Sequence, residues 1–230
     1  NKRRITISSD SASKTYDGIA LTKGGAASLS YNSDINAADS MAAGDSISSV
    51  NFTGTQTDAG SSKNTYDNLV IKNSSGSVVT NSYIVVSGYG TLAVTQAKDA
   101  ITITGDISKT YDGKEVNDPA YTRKGTGNVE LSYYTKSGST YNKLSVKPKD
   151  AGTYYVSINE AAAGNYAESV SAYREFIISK VVIKLEAEAA SSIYYEPLAE
   201  LKYKETGTAV TGEDLGIKIS TNATAASPAG

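Results

Sequence analysis

The pentapeptide Lys-Thr-Tyr-Asp-Gly occurs twice in the chain, at residues 14–18 and again at residues 109–113. Each copy follows a short stretch of alternating apolar residues, which is Ile5-Thr6-Ile7 in the first case and Ile101-Thr102-Ile103 in the second. A degraded third copy, Tyr194-Tyr195-Glu196-Pro197, keeps the tyrosine but replaces Asp-Gly by Glu-Pro. Self-similarity at such a spacing predicts tandem structural repeats.

The repeat anchors divide the 230 residues into three predicted modules, residues 1–97, 98–180 and 181–230. A module of the first two sizes buries roughly 60–65% of its unfolded surface, so it can hold a core without crosslinks or metals. The third predicted module has only 50 residues, and we expect it to be truncated. It should then expose strand edges and apolar surface, and be partly disordered or complete its sheet with another chain.

The fold class predicted from the residue pattern is all-β. Short runs of Val, Ile, Thr and Tyr with period-2 alternation are separated by clusters of Gly, Asn, Asp and Ser. Strands are predicted at 4–8, 27–31, 46–53, 68–72, 82–86 and 90–95, and then at 100–104, 129–134, 142–145, 152–159 and 173–179. One short helix is predicted at 34–43, closed by Gly44 in a conformation with positive φ.

The predicted modules are joined by short connections that lack a Gly/Ser tether, so we expect an extended, stiff rod. Asp150-Ala151-Gly152-Thr153-Tyr154 is typical of the corner between the two sheets of a β-sandwich, where a tyrosine hydroxyl bonds to nearby backbone. We therefore predict immunoglobulin-like sandwiches in series, with β-grasp-like modules as the alternative.

Composition excludes several classes of chemistry. The chain has no Cys, His or Trp, against seventeen Tyr, so Ser-His-Asp and Cys-His triads and the usual zinc sites are excluded. The net charge of −2, with acidic and basic residues interspersed, gives no electrostatic footprint for nucleic acid. No apolar run approaches the roughly 20 residues of a membrane span. We predict no catalytic residue, no cofactor and no metal site.

The Tyr-Asp-Gly copies have two interpretations. A repeated Tyr-Asp pair could bind sugar or act as an acid–base pair, but Asp-Gly is also the ordinary composition of a tight turn. The turn interpretation is favoured, with the tyrosine ring packed on the neighbouring module or sheet.

Other candidate sites are weaker. Asp34, Asn36, Asp39 and Asp45 concentrate oxygen ligands but depart from the spacing of a calcium loop, so a solvated loop or capped helix is favoured. No Lys, Asn and acid triplet stands out for an isopeptide bond. Surface tyrosines could form a stacking platform, and the candidates are Tyr133-Tyr134, Tyr141 and Tyr154-Tyr155. Adjacent tyrosines in a strand point to opposite faces, so one of each pair should lie in the core.

These residues resemble known repeats of bacterial surface proteins. The strand followed by Lys-Thr-Tyr-Asp-Gly, with Gly44-Asp45-Ser46 and Gly90-Thr91-Leu92-Ala93-Val94-Thr95 further on, resembles the YDG-type repeat. Residues 181–230, with Tyr195-Glu196-Pro197-Leu198, are similar to the related MBG repeat, although Glu-Pro departs from its usual Gly after Tyr. Residues 98–180 resemble bacterial immunoglobulin-like repeats that close with Asp-Ala-Gly-Thr-Tyr.

The resemblance implies a non-enzymatic stalk or adhesion segment at the bacterial cell surface. Its partners would be neighbouring modules and a host or cell-surface glycan or protein that the resemblance does not identify. The first alternative is a glycan-binding or peptide-binding module that uses surface tyrosines and the acidic loop at 34–45. The second is a glycosidase-like enzyme, which needs two acids facing each other across a cleft roughly 5 to 9.5 Å wide.

Overall fold

The computed structural model describes residues 1–25, 28–32, 39–207 and 210–228. Within these ranges it contains twenty β-strands, a 3-10 turn at Thr80–Ser82 and no α-helix, so the all-β prediction is confirmed. No helix in this described part of the chain is long and apolar enough to cross a membrane. Contacts divide the chain into two compact units. The first contains Asn1–Ile101, Arg123–Glu130 and Asn159–Ser171, and the second contains Thr102–Thr122, Leu131–Ile158 and Ala172–Gly230.

The strands alternate with short loops along the whole chain. Those before residue 96 are β1 (Arg3–Ser9), β2 (Ala12–Thr15), β3 (Leu29–Tyr31), β4 (Ser46–Phe52), β5 (Gly60–Lys63), β6 (Tyr66–Lys72), β7 (Tyr83–Gly88) and β8 (Thr91–Thr95). Those that follow are β9 (Ala97–Lys98), β10 (Thr102–Ile103), β11 (Lys109–Thr110), β12 (Tyr121–Thr122), β13 (Val129–Ser137), β14 (Thr140–Lys143), β15 (Gly152–Glu160), β16 (Tyr166–Ala167), β17 (Ser169–Val170), β18 (Arg174–Ser179), β19 (Lys184–Ala187) and β20 (Tyr203–Thr206).

The first unit contains three small sheets beside the strand pair β9-β16. One has the order β3-β1-β7, the second β2-β8-β5, and the third is the pair β4-β6. Strand β1 runs parallel to β7, and β2 runs parallel to β8. The period-2 alternation of β1 places Ile5 and Ile7 in the core. There they join Met41, Tyr66, Ile71 and Tyr83.

The main sheet of the second unit has the order β11-β18-β15-β13-β14. The order β18-β15-β13-β14 corresponds to strands G, F, C and C′ of an immunoglobulin sandwich, as predicted. Strand β11 adds to it in parallel with β18. The core beneath contains Val116, Tyr133, Val156, Phe176 and Ile178.

The predicted corner tyrosine is present at the start of β15. The Tyr154 hydroxyl donates to the backbone carbonyl of Asp150 at 3.1 Å. This is the hydrogen bond that the Asp-x-Gly-Thr-Tyr sequence predicts for a tyrosine corner.

The described residues beyond 180 contain one antiparallel pair, β19 with β20. None of them is buried, and Val182, Ile193 and Tyr195 are at least 70% exposed. The expectation of exposed apolar surface in this segment is therefore confirmed. The module boundaries at 97 and 180 stay predictions.

Half of the predicted helix, residues 34–38, lies outside the described residues. Residues 39–44 form turns rather than a helix. Gly44 has the positive φ that was predicted, at 83°. The segment therefore ends in a turn before β4 begins.

Candidate functional site: the Tyr-Asp-Gly turns

The first Tyr-Asp-Gly turn is closed by one carboxylate oxygen. Asp17 Oδ1 accepts from Lys14 Nζ at 2.6 Å and from the backbone N–H of Ile19 at 2.9 Å. Gly18 then takes a φ of 81°, which a residue with a Cβ atom rarely adopts. These hydrogen bonds lower the pKa of Asp17, the largest cause being the Lys14 ammonium.

The second turn repeats the first, contact for contact. Asp112 Oδ1 accepts from Lys109 Nζ at 2.5 Å and from the backbone N–H of Lys114 at 3.0 Å. Gly113 has a φ of 71°. The pKa of Asp112 is lowered, again chiefly by the hydrogen bond from its lysine. The turn interpretation is therefore confirmed in both copies.

Both turns also leave a strand in the same way. The backbone N–H of Tyr16 donates to the carbonyl of Thr95 at 2.8 Å, and that of Tyr111 donates to the carbonyl of Ser179 at 2.8 Å. The preceding strands, β2 and β11, run parallel to β8 and β18. Each turn therefore lies at the end of its module, where the last strand finishes.

The ring of Tyr16 contacts the next predicted module. It meets Tyr166 edge to face, with ring centroids 5.8 Å apart and planes at 77°. Beside it, Asn165 Nδ2 donates to Asp58 Oδ1 at 2.9 Å, and Asn165 Oδ1 accepts from the N–H of Ala59 at 2.7 Å. Both rings belong to the first unit, and Tyr166 lies in the strand pair β9-β16, so the ring packs on a neighbouring sheet, one of the two predicted arrangements.

Backbone hydrogen bonds also join residues 96–98 to the segment that contains Tyr166. Strands β9 and β16 pair in parallel, and Ala97 N–H donates to the carbonyl of Asn165 at 3.0 Å. Gln96 Nε2 also donates to the carbonyl of Gly164 at 3.0 Å. Residues 96–98 are therefore held by hydrogen bonds rather than acting as a flexible linker.

Tyr111 also contacts the next predicted module, but through its hydroxyl rather than its ring. Its hydroxyl donates to a carboxylate oxygen of Glu213, a residue of the third predicted module. This hydrogen bond is the main cause that raises the pKa of Tyr111 to about 12. A Cβ on Gly113 would lie 2.9 Å from Val210 Cγ1, so the turn backbone also approaches that module closely.

The third copy keeps only the backbone hydrogen bond made by the tyrosine N–H in the other two turns. Tyr195 N–H donates to the carbonyl of Ala225 at 2.8 Å, as the other two tyrosines do to their last strands. Without the Gly, Tyr195 itself takes a positive φ of 62°. Its ring lies against Tyr194 in an edge contact and is otherwise largely exposed.

An open groove of about 340 Å³ lies beside the first turn, lined by Tyr16, Asp17, Gly18, Ala97, Lys98, Asp99, Ala100, Lys124 and Tyr166. Both of its carboxylates already accept hydrogen bonds. Burial raises the pKa of Asp99, but backbone N–H donors from Gly125 and Lys124 outweigh it and leave that pKa lowered. Neither acid has the raised pKa that a general acid requires near neutral pH.

The paired tyrosines of β13 and β15 divide between two faces, as predicted. Tyr133 is buried and its hydroxyl donates to Asp118 Oδ1 at 2.7 Å, while Tyr154 packs against the same core. Tyr134 and Tyr155 lie on the opposite face. Burial, followed by the Asp118 hydrogen bond, raises the pKa of Tyr133.

The second face gathers a surface tyrosine cluster, formed by Tyr134, Tyr141, Tyr155 and Tyr173. Tyr141 and Tyr173 stack at 3.8 Å, and Tyr134 and Tyr155 each meet a member of that pair edge to face at 5.1 Å. Lys136 Nζ lies 5.1 Å from the Tyr141 ring centroid. Tyr173 was not among the predicted candidates, because no partner adjacent in sequence marks it.

The acidic loop is only partly described. Asp34 and Asn36 lie outside the described residues. Asp45 Oδ2 accepts from the Tyr83 hydroxyl at 2.6 Å, and Asp39 is exposed. Among the residues that the structure describes, no three acidic side chains come together as a metal site would require.

The comparisons with known proteins agree with the predicted type of repeat. The family model of the MBG domain matches residues 98–176. No curated protein matches the chain. Among solved structures, the chain is similar to the N-terminal four Ig domains of Dscam1 isoform 6.44, with a TM-score of 0.26 and 12% identity over 61% of this chain and 40% of that chain.

The structural likeness is too low to carry an argument, and the chain spans less than half the length of that structure. The MBG match lies one module earlier than the MBG resemblance noted at 181–230, on the module that was expected to be immunoglobulin-like. Residues 98–176 are thus similar to the MBG repeat, so the MBG type of repeat is confirmed in the chain but at a different place from the predicted one.

Proposed function

We propose that this chain is a non-enzymatic segment of a bacterial cell-surface protein, in which consecutive β modules form a stalk or take part in adhesion. The similarity of residues 98–176 to the MBG domain supports a surface repeat. The observation that carries the proposal is the recurrence of one turn, which in both complete copies directs its tyrosine at the next predicted module.

The physical basis is coupling between successive modules. A stalk holds its two ends at a fixed distance only if the joints between its modules resist bending. A joint resists bending when side-chain contacts and backbone hydrogen bonds cross it. The Tyr16 turn contributes a ring contact, and Asn165 contributes two hydrogen bonds beside it. Modules joined by a free linker would instead reorient at each joint.

Small-angle X-ray scattering with and without calcium tests this proposal. We expect a long, narrow particle whose profile does not depend on calcium. Tyr16→Ala and Tyr111→Ala should each broaden the distribution of interatomic distances, because one joint loses its contact. Tyr134→Ala is the matched control, since it removes a ring with a similar edge contact from the surface tyrosine cluster. A compact wild-type particle would contradict the proposal.

A second candidate function is glycan binding at the surface tyrosine cluster. Four rings lie on one face of the sheet, and Glu175, which accepts from the Tyr155 hydroxyl at 2.6 Å, adds a polar group beside them. Such faces can stack against sugar rings while charged neighbours bond hydroxyls. Titration with neutral oligosaccharides followed by NMR should then shift signals of this face in the wild type and not in Tyr173→Ala. Tyr89→Ala, an exposed tyrosine of the first unit, is the control.

A further inference from the structure

The composition decides where a one-electron oxidant attacks this chain. Cysteine and tryptophan, which lose an electron readily, are absent, and the single methionine, Met41, is buried away from oxidants. Seventeen tyrosines remain as the readily oxidised side chains. A tyrosine that loses an electron also loses its phenolic proton, because oxidation makes the hydroxyl strongly acidic. The product is a neutral tyrosyl radical, which forms a covalent bond with a second such ring that lies close to it.

Tyr141 and Tyr173 are the tyrosine rings that lie closest together in the described part of the chain. Their centroids are 3.8 Å apart and their planes are 6° from parallel, so the rings lie face to face. The adjacent pair Tyr194 and Tyr195 meets only edge to face, at 4.2 Å. In the face-to-face pair, carbons of the two rings lie near van der Waals distance of each other. Small rotations of the side chains then align the carbons ortho to the two hydroxyls, at which tyrosyl radicals couple.

Strand register places these rings on one face of the main sheet of the second unit. Tyr141 of β14 lies opposite Lys136 of β13, and Tyr155 of β15 lies opposite Glu175 of β18. Tyr173 immediately precedes β18 and is two residues from Glu175, so alternation puts it on the same side. The stack therefore spans β13 and β15, the two strands that separate the edge strand β14 from β18.

The stacked pair is accessible to an oxidant and adjoins two further rings. Tyr173 is 45% exposed, and Tyr141 is half-buried. Tyr134 and Tyr155 each lie 5.1 Å from a member of the pair. Because electrons move readily between aromatic rings at such distances, a radical formed on any of the four rings reaches the stacked pair.

Glu175 supplies a proton acceptor at this face. The Tyr155 hydroxyl donates to Glu175 Oε2 at 2.6 Å, a short hydrogen bond to a charged group. When Tyr155 loses an electron, its proton passes along this hydrogen bond to the carboxylate. Lys136 Nζ lies 5.1 Å from the Tyr141 ring centroid and 5.6 Å from that of Tyr155, and its positive charge disfavours a cationic ring. Loss of the proton together with the electron is therefore the favoured route.

We propose that Tyr141 and Tyr173 are an oxidative crosslinking site, at which a haem peroxidase and hydrogen peroxide convert the stacked rings into one dityrosine. The peroxidase removes one electron and one proton from each phenol in two successive steps. The two radicals join through a carbon–carbon bond between the positions ortho to the hydroxyls, and the hydrogens on those carbons move to the oxygens to restore the phenols. Hydrogen peroxide takes up the two electrons and two protons and becomes two molecules of water.

The crosslink has the effect that a disulfide has in other proteins. It joins the edge strand β14 to the residue before β18 and closes the loop of residues 141–173. A covalent bond across a loop stabilises the folded state chiefly by reducing the conformational entropy of the unfolded chain. The chain has no cysteine with which to form a disulfide. The inference goes beyond the proposed stalk function and does not depend on it, because it needs only the ring geometry of one unit.

The experiment treats the full chain with a haem peroxidase and hydrogen peroxide and digests the product with trypsin. Cleavage after Lys and Arg releases Tyr141 in the peptide 137–143 and Tyr173 in the peptide 150–174. We expect these two peptides to be linked, with a mass lower than their sum by two hydrogen atoms and fragment ions that place the bond at Tyr173. The product should remain monomeric, and its yield should not depend on chain concentration.

Phenylalanine variants test the assignment without removing a ring. Tyr173→Phe and Tyr141→Phe keep the stack but have no phenol to oxidise, so each should abolish the linked peptides. Tyr89→Phe removes the hydroxyl of another exposed tyrosine and should leave the yield unchanged. Glu175→Gln replaces the carboxylate by a weaker base and should slow crosslinking several-fold. Crosslinked wild type should unfold at a higher urea concentration than the untreated protein, and treated Tyr173→Phe should not gain this stability.

Four results would overturn the inference. The first is treated wild type without the linked peptides, and the second is the same link in Tyr173→Phe, because the bond would then lie at another tyrosine of peptide 150–174. The third is dityrosine that joins two chains, with a yield that rises with chain concentration. The fourth is bonds spread over exposed tyrosines such as Tyr31, Tyr89 and Tyr194 in proportion to their exposure, since the stacked geometry would then not direct the reaction.

Discussion

At the scale of single residues, the lysine of the pentapeptide has a role beyond turn formation. Asx turns need only the Asp and the Gly. Here Lys14 and Lys109 each donate both to the turn carboxylate and to a backbone carbonyl beyond the turn, that of Ile19 or Lys114. The lysine therefore closes the loop on both sides, which explains why it recurs with the Tyr-Asp-Gly sequence.

Lys14→Met should raise the pKa of Asp17 toward the ordinary value of 3.8, because the largest cause of its lowering is removed. The sign follows from linkage: an acid with a lowered pKa stabilises the turn above pH 4 and loses that contribution as pH falls through its folded value. Carbon NMR titration of the side-chain carboxyls measures the change. Asp112, whose Lys109 is intact, is the control in the same sample, and an unchanged Asp17 midpoint would contradict the prediction.

Asn64 is a buried polar residue whose contacts lie entirely within the first unit. Its Nδ2 donates to the carbonyls of Asp10 at 2.9 Å and Lys23 at 3.0 Å. Asn64→Ala leaves both carbonyls without this donor and should lower the free energy of unfolding by about 1–3 kcal/mol. Asn51→Ala is the control, because its bond to Asp67 is exposed and should cost about 0.5 kcal/mol or less.

Denaturant unfolding followed by tyrosine fluorescence would compare the two asparagine variants. Equal losses of stability at the buried and exposed positions would show that the Asn64 hydrogen bonds do not matter. The comparison holds the chemical change constant and varies only the burial of the amide.

At the scale of strands, alternation predicted those elements whose apolar residues face a core. β1, β4, β6, β7, β13, β15 and β18 all fall within a few residues of their predicted places. The short polar strands β2 and β5 were not predicted, since Ala12-Ser13-Lys14-Thr15 and Gly60-Ser61-Ser62-Lys63 have neither alternation nor β propensity. They form strands because β8 lies between them and pairs with both.

The features of the candidate site likewise divide into those that local sequence predicts and those that it does not. The turns and the two faces of the tyrosine pairs were predictable, because they depend on local sequence and on the period of a strand. The contacts of Asn165 with Asp58 and of Tyr173 with Tyr141 were not, because in each case the two residues come from separate segments and no spacing links them. Tertiary packing alone brings their side chains together.

Gly90 shows how strongly β8 depends on close backbone contact. A Cβ there would lie 2.3 Å from the carbonyl oxygen of Asp10 and 2.6 Å from the backbone nitrogen of Ser11. Gly90→Ala should therefore destabilise the first unit by about 1–3 kcal/mol or more, since backbone must move. Gly76→Ala is the comparison, because it strains a φ of 80° but meets no atom within 4 Å.

The two glycine variants are compared by thermal unfolding followed by circular dichroism. We expect a lower midpoint for Gly90→Ala than for Gly76→Ala, whose cost is limited to roughly 1–2 kcal/mol of backbone strain. If Gly76→Ala has the lower unfolding midpoint instead, the β2-β8 pairing adjusts easily to a Cβ at position 90. The close backbone contact at Gly90 would then not fix the register of that pairing.

At the scale of the whole molecule, burial is distributed unevenly along the chain. Residues 1–180 supply every buried side chain that the structure describes, whereas the described residues from 181 onward are exposed or half-buried. Local stability follows buried apolar contact, so the segment with the least burial should open most readily. The third copy of the turn lies in this segment, with Ile193 and Tyr195 exposed.

Native-state hydrogen exchange should therefore separate the chain into two classes of amides. Amides of β15 and β18, which pair with each other in the middle of a sheet, should be protected to the level of cooperative unfolding. Those of β19 and β20, which pair only with each other, should exchange at least a hundredfold faster, because an isolated two-stranded ribbon is marginally stable in water. Limited proteolysis gives an independent check, with early cleavage expected near residues 190–200. Equal protection in both sets of strands would mean that residues 181–228 share a core with a partner, and the exposed tyrosines of the third copy would then be the first place to look for it.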